Sequence, residues 1–324
     1  MGPESRIAGI HHITAVASSA AENLDFYTNV LGLRLVKKTV NFDDPYTYHF
    51  YFGDFEGTPG TILTFFPWEK LPPGRPGSGM VTAVAFAVPY ASLEFWRRRL
   101  AAAGRPVQPS ERFGEPVLSF SDPHGLPLEL VGLNEPPATT AWDEGPIAAP
   151  NTIRGFHAAT ATLNADSGMQ ALLQDTMGLR LYRQDGRRYR YLTGNDQEPG
   201  HFCDLVIDSQ APIGTPGGGT VHHIAFRTAS DRTQSDWQTR LRQAGFSVTG
   251  VRDRTYFRSI YFQTPGGVLF EIATDTPGFG IDERPDALGS TLKLPERYAP
   301  LRAAIESRLP PLSPEGNDPA RATG

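Results

Sequence analysis

Two segments of this chain each occur twice. Asn29-Val-Leu-Gly-Leu-Arg-Leu-Val36 recurs as Asp175-Thr-Met-Gly-Leu-Arg-Leu-Tyr182, and Phe95-Trp-Arg-Arg-Arg-Leu-Ala-Ala-Ala-Gly104 recurs as Asp236-Trp-Gln-Thr-Arg-Leu-Arg-Gln-Ala-Gly245. The first pair ends a candidate helix with Gly at the C-terminal cap position and runs on into an apolar strand. Downstream, Arg112 through Glu129 parallels Arg254 through Glu271. Self-similarity at this period restricts the fold to repeated units that bury their faces against one another. The predicted organisation is a first half over 1–134, with modules at about 7–68 and 80–133. A linker over 135–151 then leads to a second half over 152–280, with modules at about 152–208 and 219–275. A tail over 281–324 carries a helix near 295–309, and polar, small residues from 313 to 324 predict disorder there.

Module four makes the unit explicit. Val221–Ala229 alternates as a strand, and Arg232–Gln243 places Trp237 and Leu241 at helical spacing. Three further strands are expected at Phe246–Val251, Ser259–Gln263 and Val268–Ala273. A strand–helix–three-strand unit cannot cover its own sheet face, so units must pair into curved sheets around a cavity. The expected class is α+β: four βαβββ modules in two pseudo-duplicated halves, forming curved mixed sheets around a metal cavity. The 33 glycines and 29 prolines match a chain of short strands and tight turns. Their richest stretches, at 69–79, 135–151 and 208–219, fall between units.

The chemistry enters with two His-His dipeptides, His11-His12 and His222-His223, each opening an apolar strand. Glu271 closes the turn-and-strand segment Thr264-Pro-Gly-Gly-Val-Leu-Phe-Glu271. Aligning the modules puts His12, Ala83, His157 and His223 at one first-strand position, and Phe65, Glu129, Leu205 and Glu271 at one last-strand position. If modules three and four pair, a cavity receives His157, His223 and Glu271. If modules one and four pair, it receives His12, His223 and Glu271. Either set is a two-imidazole, one-carboxylate facial triad, the donor set that holds Fe(II) and leaves positions open; Mn(II) is accepted by the same donors. Neighbouring modules pair more often, whereas only modules one and four carry the doubled histidine.

Composition removes several other classes. A net charge of -5 gives no basic footprint for nucleic acid or an anionic membrane surface. No apolar run reaches the ~20 residues of a spanning helix. Cys203 is the one cysteine, and the first six residues lack the apolar segment of a secretory signal, so a cytoplasmic protein is expected. Whether it forms a homo-oligomer is open.

The doubled histidines, the Thr-Pro-Gly-Gly-Val-Leu-Phe-Glu strand and the fourfold repeat resemble the vicinal oxygen chelate superfamily of glyoxalases, bleomycin resistance proteins and extradiol dioxygenases. Within it the chain resembles the ring-cleaving hydroquinone 1,2-dioxygenases, through Gly57-Thr-Pro-Gly-Thr61, Tyr48-His-Phe-Tyr-Phe52, Arg154-Gly-Phe-His157, Arg254-Thr-Tyr-Phe257 with Tyr261, and Phe279 to Glu283. The similarity covers about residues 7–309. It implies His12, His223 and Glu271 as metal ligands and pairing of module one with four and two with three; His157, which neighbour pairing would bring in, is the alternative ligand. It implies a small aromatic substrate and O2 as reactants, and places Arg254, Tyr256 and Tyr261 near the substrate. Strand alternation puts Thr14 on the face of His12 and sends His11 and His222 to the opposite face, as packing or supporting groups. His49 has no assigned role, and His124 and His201 sit in turn-like contexts expected to be solvated. Other readings on this fold are a catechol dioxygenase using His157, a glyoxalase-like metal isomerase, and a non-catalytic aromatic-binding resistance module. Phe65 in the fourth slot favours an open site over the four-ligand isomerase kind.

Overall fold

The computed structural model describes residues 6–195 and 197–312; the tail from 313 lies outside the described residues. Each module gives one strand, one helical segment and three more strands. Module one contains β1 (Ile10–Ala17), α1 (Ala20–Asp25) continuing through a π-helical turn, β2 (Arg34–Val40), β3 (Tyr48–Gly53) and β4 (Ile62–Pro67). Module two contains β5 (Met80–Pro89), α2 (Leu93–Ala102), β6 (Gln108–Arg112), β7 (Glu115–Ser121) and β8 (Pro127–Leu133). Module three contains β9 (Phe156–Leu163), α3 (Met169–Ala171) with its own π-helical turn, β10 (Arg180–Asp185), β11 (Arg188–Leu192) and β12 (Phe202–Ile207). Module four contains β13 (Thr220–Thr228), α4 (Asp231–Gln243), β14 (Arg252–Asp253), β15 (Arg258–Gln263) and β16 (Leu269–Thr274). The predicted strand over Phe246–Val251 does not form; only Val248 bridges to Phe262.

Among the described residues, sixteen strands make two curled eight-stranded sheets, ordered β14-β15-β16-β13-β1-β4-β3-β2 and β10-β11-β12-β9-β5-β8-β7-β6. Modules one and four therefore share one sheet, and modules two and three the other. The neighbour pairing three-with-four does not occur. The linkers make this non-sequential arrangement possible. The chain over 69–79 runs beside the chain over 208–219, bridging at Pro73–Gly218, Arg75–Thr215 and Ser78–Ile213. The two cross so closely that a Cβ on Gly77 would stand 2.3 Å from the Pro212 carbonyl oxygen, a separation only glycine permits. Helix packing anchors the sheets from outside. Trp96 and Leu100 of α2, and Trp237 and Leu241 of α4, are buried at the spacing the repeat implied.

The inner strands carry four one-residue irregularities, and these position the site. In β1 the pairing jumps from Ile10–Phe226 to His12–Ala225, bulging His11. In β13 it jumps from His223–Thr14 to Val221–Ala15, bulging His222. The other sheet repeats both: His157 bulges in β9 between Phe156–Phe86 and Ala158–Ala85, and Thr82 bulges in β5 between Val81–Ala161 and Ala83–Thr160. A bulge re-aims the residues around it and breaks strict alternation. By register, the counterparts of His12 and His223 are Ala158 and Ala83. His157 corresponds to His11 and not to His12.

The tail packs on the first sheet. Leu292 bridges Lys38 at the β2 edge, and the Tyr298 hydroxyl donates to the Phe42 carbonyl at 2.8 Å. The expected long helix is shorter and mixed: a 3-10 segment Glu296–Leu301 containing Pro300, then α5 (Arg302–Glu306). Pro300 cannot supply the N–H an α-helix needs there. Among the described residues, no helix is long and apolar enough to cross a membrane.

Candidate metal centre and substrate cavity

His12, His223 and Glu271 come from three adjacent strands, β1, β13 and β16, and their ligand atoms all lie within 4.8 Å of one another. His12 Nε2 and His223 Nε2 are 3.3 Å apart. Glu271 Oε2 is 2.8 Å from His223 Nε2 and 3.4 Å from His12 Nε2. Neither contact has the angle of a hydrogen bond, and Oε2 is buried without a donor; its sister oxygen accepts from the Ser259 hydroxyl. A fully buried carboxylate oxygen without a donor is costly. Burial pushes the Glu271 carboxyl up, but the imidazoles of His12 and His223 outweigh this and hold it well below its ordinary value. Burial also pulls the His223 imidazole below its ordinary value. An ionised carboxylate and neutral imidazoles are the forms in which these groups bind a metal. Two Nε2 atoms and one carboxylate oxygen converging without donors fit a divalent cation of the facial-triad kind.

The doubled histidines now have a physical reading. His11 Nδ1 lies 3.0 Å from His12 Nδ1, and His222 Nδ1 lies 2.8 Å from His223 Nδ1. A ligand imidazole that offers Nε2 carries its proton on Nδ1, and each preceding histidine accepts that proton. Such partners orient ligands and tune their basicity. Strand alternation predicted the opposite face for His11 and His222; the bulges overturn this by bringing their rings against those of His12 and His223.

A cavity of about 140 Å3 opens beside His12 and His223. Its walls include Thr14, Phe42, Phe66, Trp68, Phe257 and Tyr261, with Asn41, Asp43, His49, His222 and Arg254 supplying polar edges. A cavity near 150 Å3 is enough for one benzene ring. The Arg254 Nε donates to the Tyr261 hydroxyl at 3.4 Å, and its Nη1 lies 3.5 Å from Asp43. Burial and the Glu271 carboxylate raise the Tyr261 phenol, so it keeps its proton and remains a donor.

The turn before β15 decides which aromatic groups face inward. Thr255 has φ of +67°, a left-handed conformation unfavourable for a β-branched residue, held by hydrogen bonds from Arg254 N to Phe257 O and from Tyr256 N to Arg254 O. The turn directs Arg254 and Phe257 to the cavity. Tyr256, expected near the substrate, turns away and donates to Asp282 in the tail at 3.0 Å. Phe257 instead packs on both His11 and His12, at 5.1 and 4.9 Å between ring centroids.

Two further expectations change. The fourth slot belongs to Thr64 and not to Phe65: Glu271 pairs with the residue two beyond His223, and Thr64 with the residue two beyond His12. Phe65 is buried in the core against Tyr27. His201 is buried, and the His124 side chain is only 5% exposed, so neither is a solvated turn histidine. Phe42, Asp43, Phe66 and Trp68 were missed altogether. Alternation within Tyr48-His-Phe-Tyr-Phe52 could have identified His49 and Tyr51 as one inward-facing pair.

Comparison with known proteins agrees with this geometry. The family model for the glyoxalase/bleomycin resistance protein/dioxygenase superfamily matches residues 9–130 and 157–272. MhqO of Bacillus subtilis (strain 168), named as a ring-cleaving dioxygenase, is 47% identical over 305 residues, covering 94% of this chain and 96% of that protein. The chlorohydroquinone/hydroquinone 1,2-dioxygenase of Sphingobium indicum is 37% identical over 296 residues, covering 89% and 92%. A crystal structure of a Bacillus subtilis protein described as a dioxygenase superimposes with a TM-score of 0.91 at 46% identity, covering 95% of this chain and 98% of that one. The chain belongs to the glyoxalase/bleomycin resistance protein/dioxygenase superfamily, as an enzyme of its ring-cleaving dioxygenase branch.

Proposed function

We propose that this enzyme is a non-haem Fe(II)-dependent dioxygenase that uses O2 to open the ring of a substituted hydroquinone, with His12, His223 and Glu271 as the metal ligands. The observation that carries the reading is the buried Glu271 Oε2, without a donor and facing two imidazole nitrogens. The hydroxyl of Thr64 in the fourth slot, where a carboxylate would make a fourth ligand, supports an open site. The name of the Sphingobium indicum relative supports the substrate class.

Iron(II) in this site would supply Lewis acidity toward a phenolic oxygen and a redox partner for dioxygen. The chain's residues do the rest. Phe42, Phe66, Trp68 and Phe257 hold one aromatic ring and exclude water. Tyr261 donates a hydrogen bond to a substrate oxygen, and Arg254 balances negative charge that grows on the ring during cleavage. Thr14 lines the same face as His12. His11 and His222 hold the ligand rings in register.

The test is oxygen uptake after anaerobic loading with Fe(II) or Mn(II), offering methylhydroquinone, chlorohydroquinone and catechol in parallel. Uptake with the hydroquinones, abolished in His12→Ala and retained in His157→Ala, is expected. Uptake restricted to catechol, or dependence on His157, would overturn the reading.

A further inference from the structure

One wall of the cavity carries a hydrogen-bond chain outside the ligand set. The Tyr51 hydroxyl lies 3.0 Å from His49 Nδ1, His49 Nε2 lies 3.0 Å from Thr64 Oγ1, and Thr64 Oγ1 lies 2.9 Å from Thr14 Oγ1. Sheet register builds it: Thr64 of β4 pairs with Tyr51 of β3 on one side and with Thr14 of β1 on the other. Tyr51 and Thr64 are fully buried, and Tyr51, Thr14 and His49 all border the cavity.

The chain has a forced direction. Among the described residues the Tyr51 hydroxyl has no partner but His49 Nδ1, and the side chain has no solvent-accessible surface, so its proton goes there or remains buried and unpaired. Nδ1 is then the acceptor and His49 carries its proton on Nε2. That proton goes to Thr64 Oγ1, the Thr64 proton goes to Thr14 Oγ1, and the Thr14 proton is left over. Thr14 borders the cavity, and its hydroxyl has no further protein acceptor among the described residues. Burial holds the His49 imidazole well below its ordinary value, with His12 and Arg254 adding to the effect, so the ring stays neutral.

We infer that the Tyr51–His49–Thr64 chain fixes Thr14 as a hydrogen-bond donor aimed into the cavity, and that its partner is the ionised phenolic oxygen of the aromatic ligand. Thr14 is then a substrate-binding residue and His49 a positioning residue. The ligand class rests on the proposed function; the direction of the chain does not. A wall that can only donate favours a phenolate over the neutral ring.

The full chain loaded with Zn(II), which is diamagnetic and redox-silent, tests both parts without turnover. Long-range 1H–15N NMR on 15N-histidine protein should show His49 protonated on Nε2 and bare on Nδ1 through the neutral range. Tyr51→Phe should release it toward a mixture of tautomers. A His49 protonated on Nδ1, or an imidazolium, would overturn the direction. Titration with 4-nitrophenolate and with nitrobenzene reads the donor: Thr14→Val should weaken the phenolate by about tenfold relative to nitrobenzene. Thr14→Ser should restore the preference. An unchanged ratio in Thr14→Val would overturn the role of Thr14. A protein that passes both tests yet consumes no oxygen with Fe(II) and hydroquinones refutes the proposed function and leaves this chain of donors standing.

Discussion

The two sheets have the same topology and the same pair of bulges, yet they treat their central carboxylates in opposite ways. In the sheet of modules one and four the inward slots hold His12, His223, Glu271 and Thr64. In the sheet of modules two and three, register puts Ala158, Ala83, Glu129 and Asp204 at those slots. Where imidazoles are replaced by methyl groups, arginines arrive. Arg112 forks onto Glu129 at 2.6 and 2.7 Å, and Arg190 forks onto Asp204 at 2.9 and 3.1 Å. Arg190 also donates to Glu115 and lies between the rings of Phe113 and Phe202, at 4.6 and 4.7 Å. A buried carboxylate demands a positive partner. One sheet leaves that demand for a cation to meet, and the other meets it with guanidinium groups. The same scaffold therefore yields a reactive centre or a closed ion-pair network, according to whether two positions are His or Ala.

The largest expected effect tests the open side. His12→Ala and Glu271→Ala should each lose stoichiometric metal and lower oxygen uptake by about a thousandfold or more, since several kcal/mol of metal-supplied stabilisation go with it. Metal analysis alongside uptake checks this. Retained uptake in either variant would break the comparison. His157→Ala, in the closed sheet, should stay within about threefold of the parent.

The closed side should respond in stability. Arg112→Met leaves Glu129 buried and unpaired, and thermal or urea unfolding should register a loss of about 3–5 kcal/mol. Pairing Arg112→Met with Glu129→Leu should recover most of it, because an apolar pair of similar volume replaces a buried ion pair at little cost. Oxygen uptake per folded molecule should not change in the double variant. A double variant as unstable as the single one would show that the network stabilises by more than neutralisation.

How much of this was legible in the sequence follows from what breaks a periodic pattern. The repeated Gly-Leu-Arg-Leu segments and the Trp/Leu helix pairs are local, so the four modules and their helices could be read directly. His223 and Glu271 could be read together because they head and close strands of one module, whereas the residues left His12 and His157 as alternatives for the third group and only the family resemblance favoured His12. A bulge looks like any other residue in a strand, so His11 and His222 were placed on the wrong face, His157 entered a slot that belongs to Ala158, and Phe65 displaced Thr64. Tyr256 failed for a related reason, since the left-handed Thr255 reverses the chain just before it. The Tyr51–His49–Thr64–Thr14 chain joins β3, β4 and β1 of a single module, and only their register brings its four groups into line.

A smaller effect separates ligand orientation from ligation. His11→Phe keeps an aromatic ring in the bulge but removes the acceptor for the His12 Nδ1 proton. Loss of such a partner typically weakens metal binding by about 10- to 100-fold, measurable by competition with a chelator. His222→Phe should behave alike, since its bond to His223 is of the same kind. Unchanged affinity in both variants would reduce the doubled histidines to packing.

The smallest effect is a pH slope, and it too belongs to the closed sheet. Burial would push the Glu115 carboxyl up, but its bonds to His157 and Arg190 hold it down at about 2, against an ordinary value of 4.5. A carboxylate depressed in the folded state adds stability that is complete above its unfolded value. That contribution declines as pH falls below about 4.5 and is gone once pH has passed through about 2. Because this side chain is 24% exposed, solvent screening leaves the contribution on the order of 1 kcal/mol. Urea unfolding at stepped pH should show the parent losing stability more steeply than Glu115→Gln across that window, the two curves converging at its acid end. Parallel curves would mean that Arg190 is already satisfied by Asp204 alone, and that the second sheet needs fewer carboxylates to replace its cation than its geometry displays.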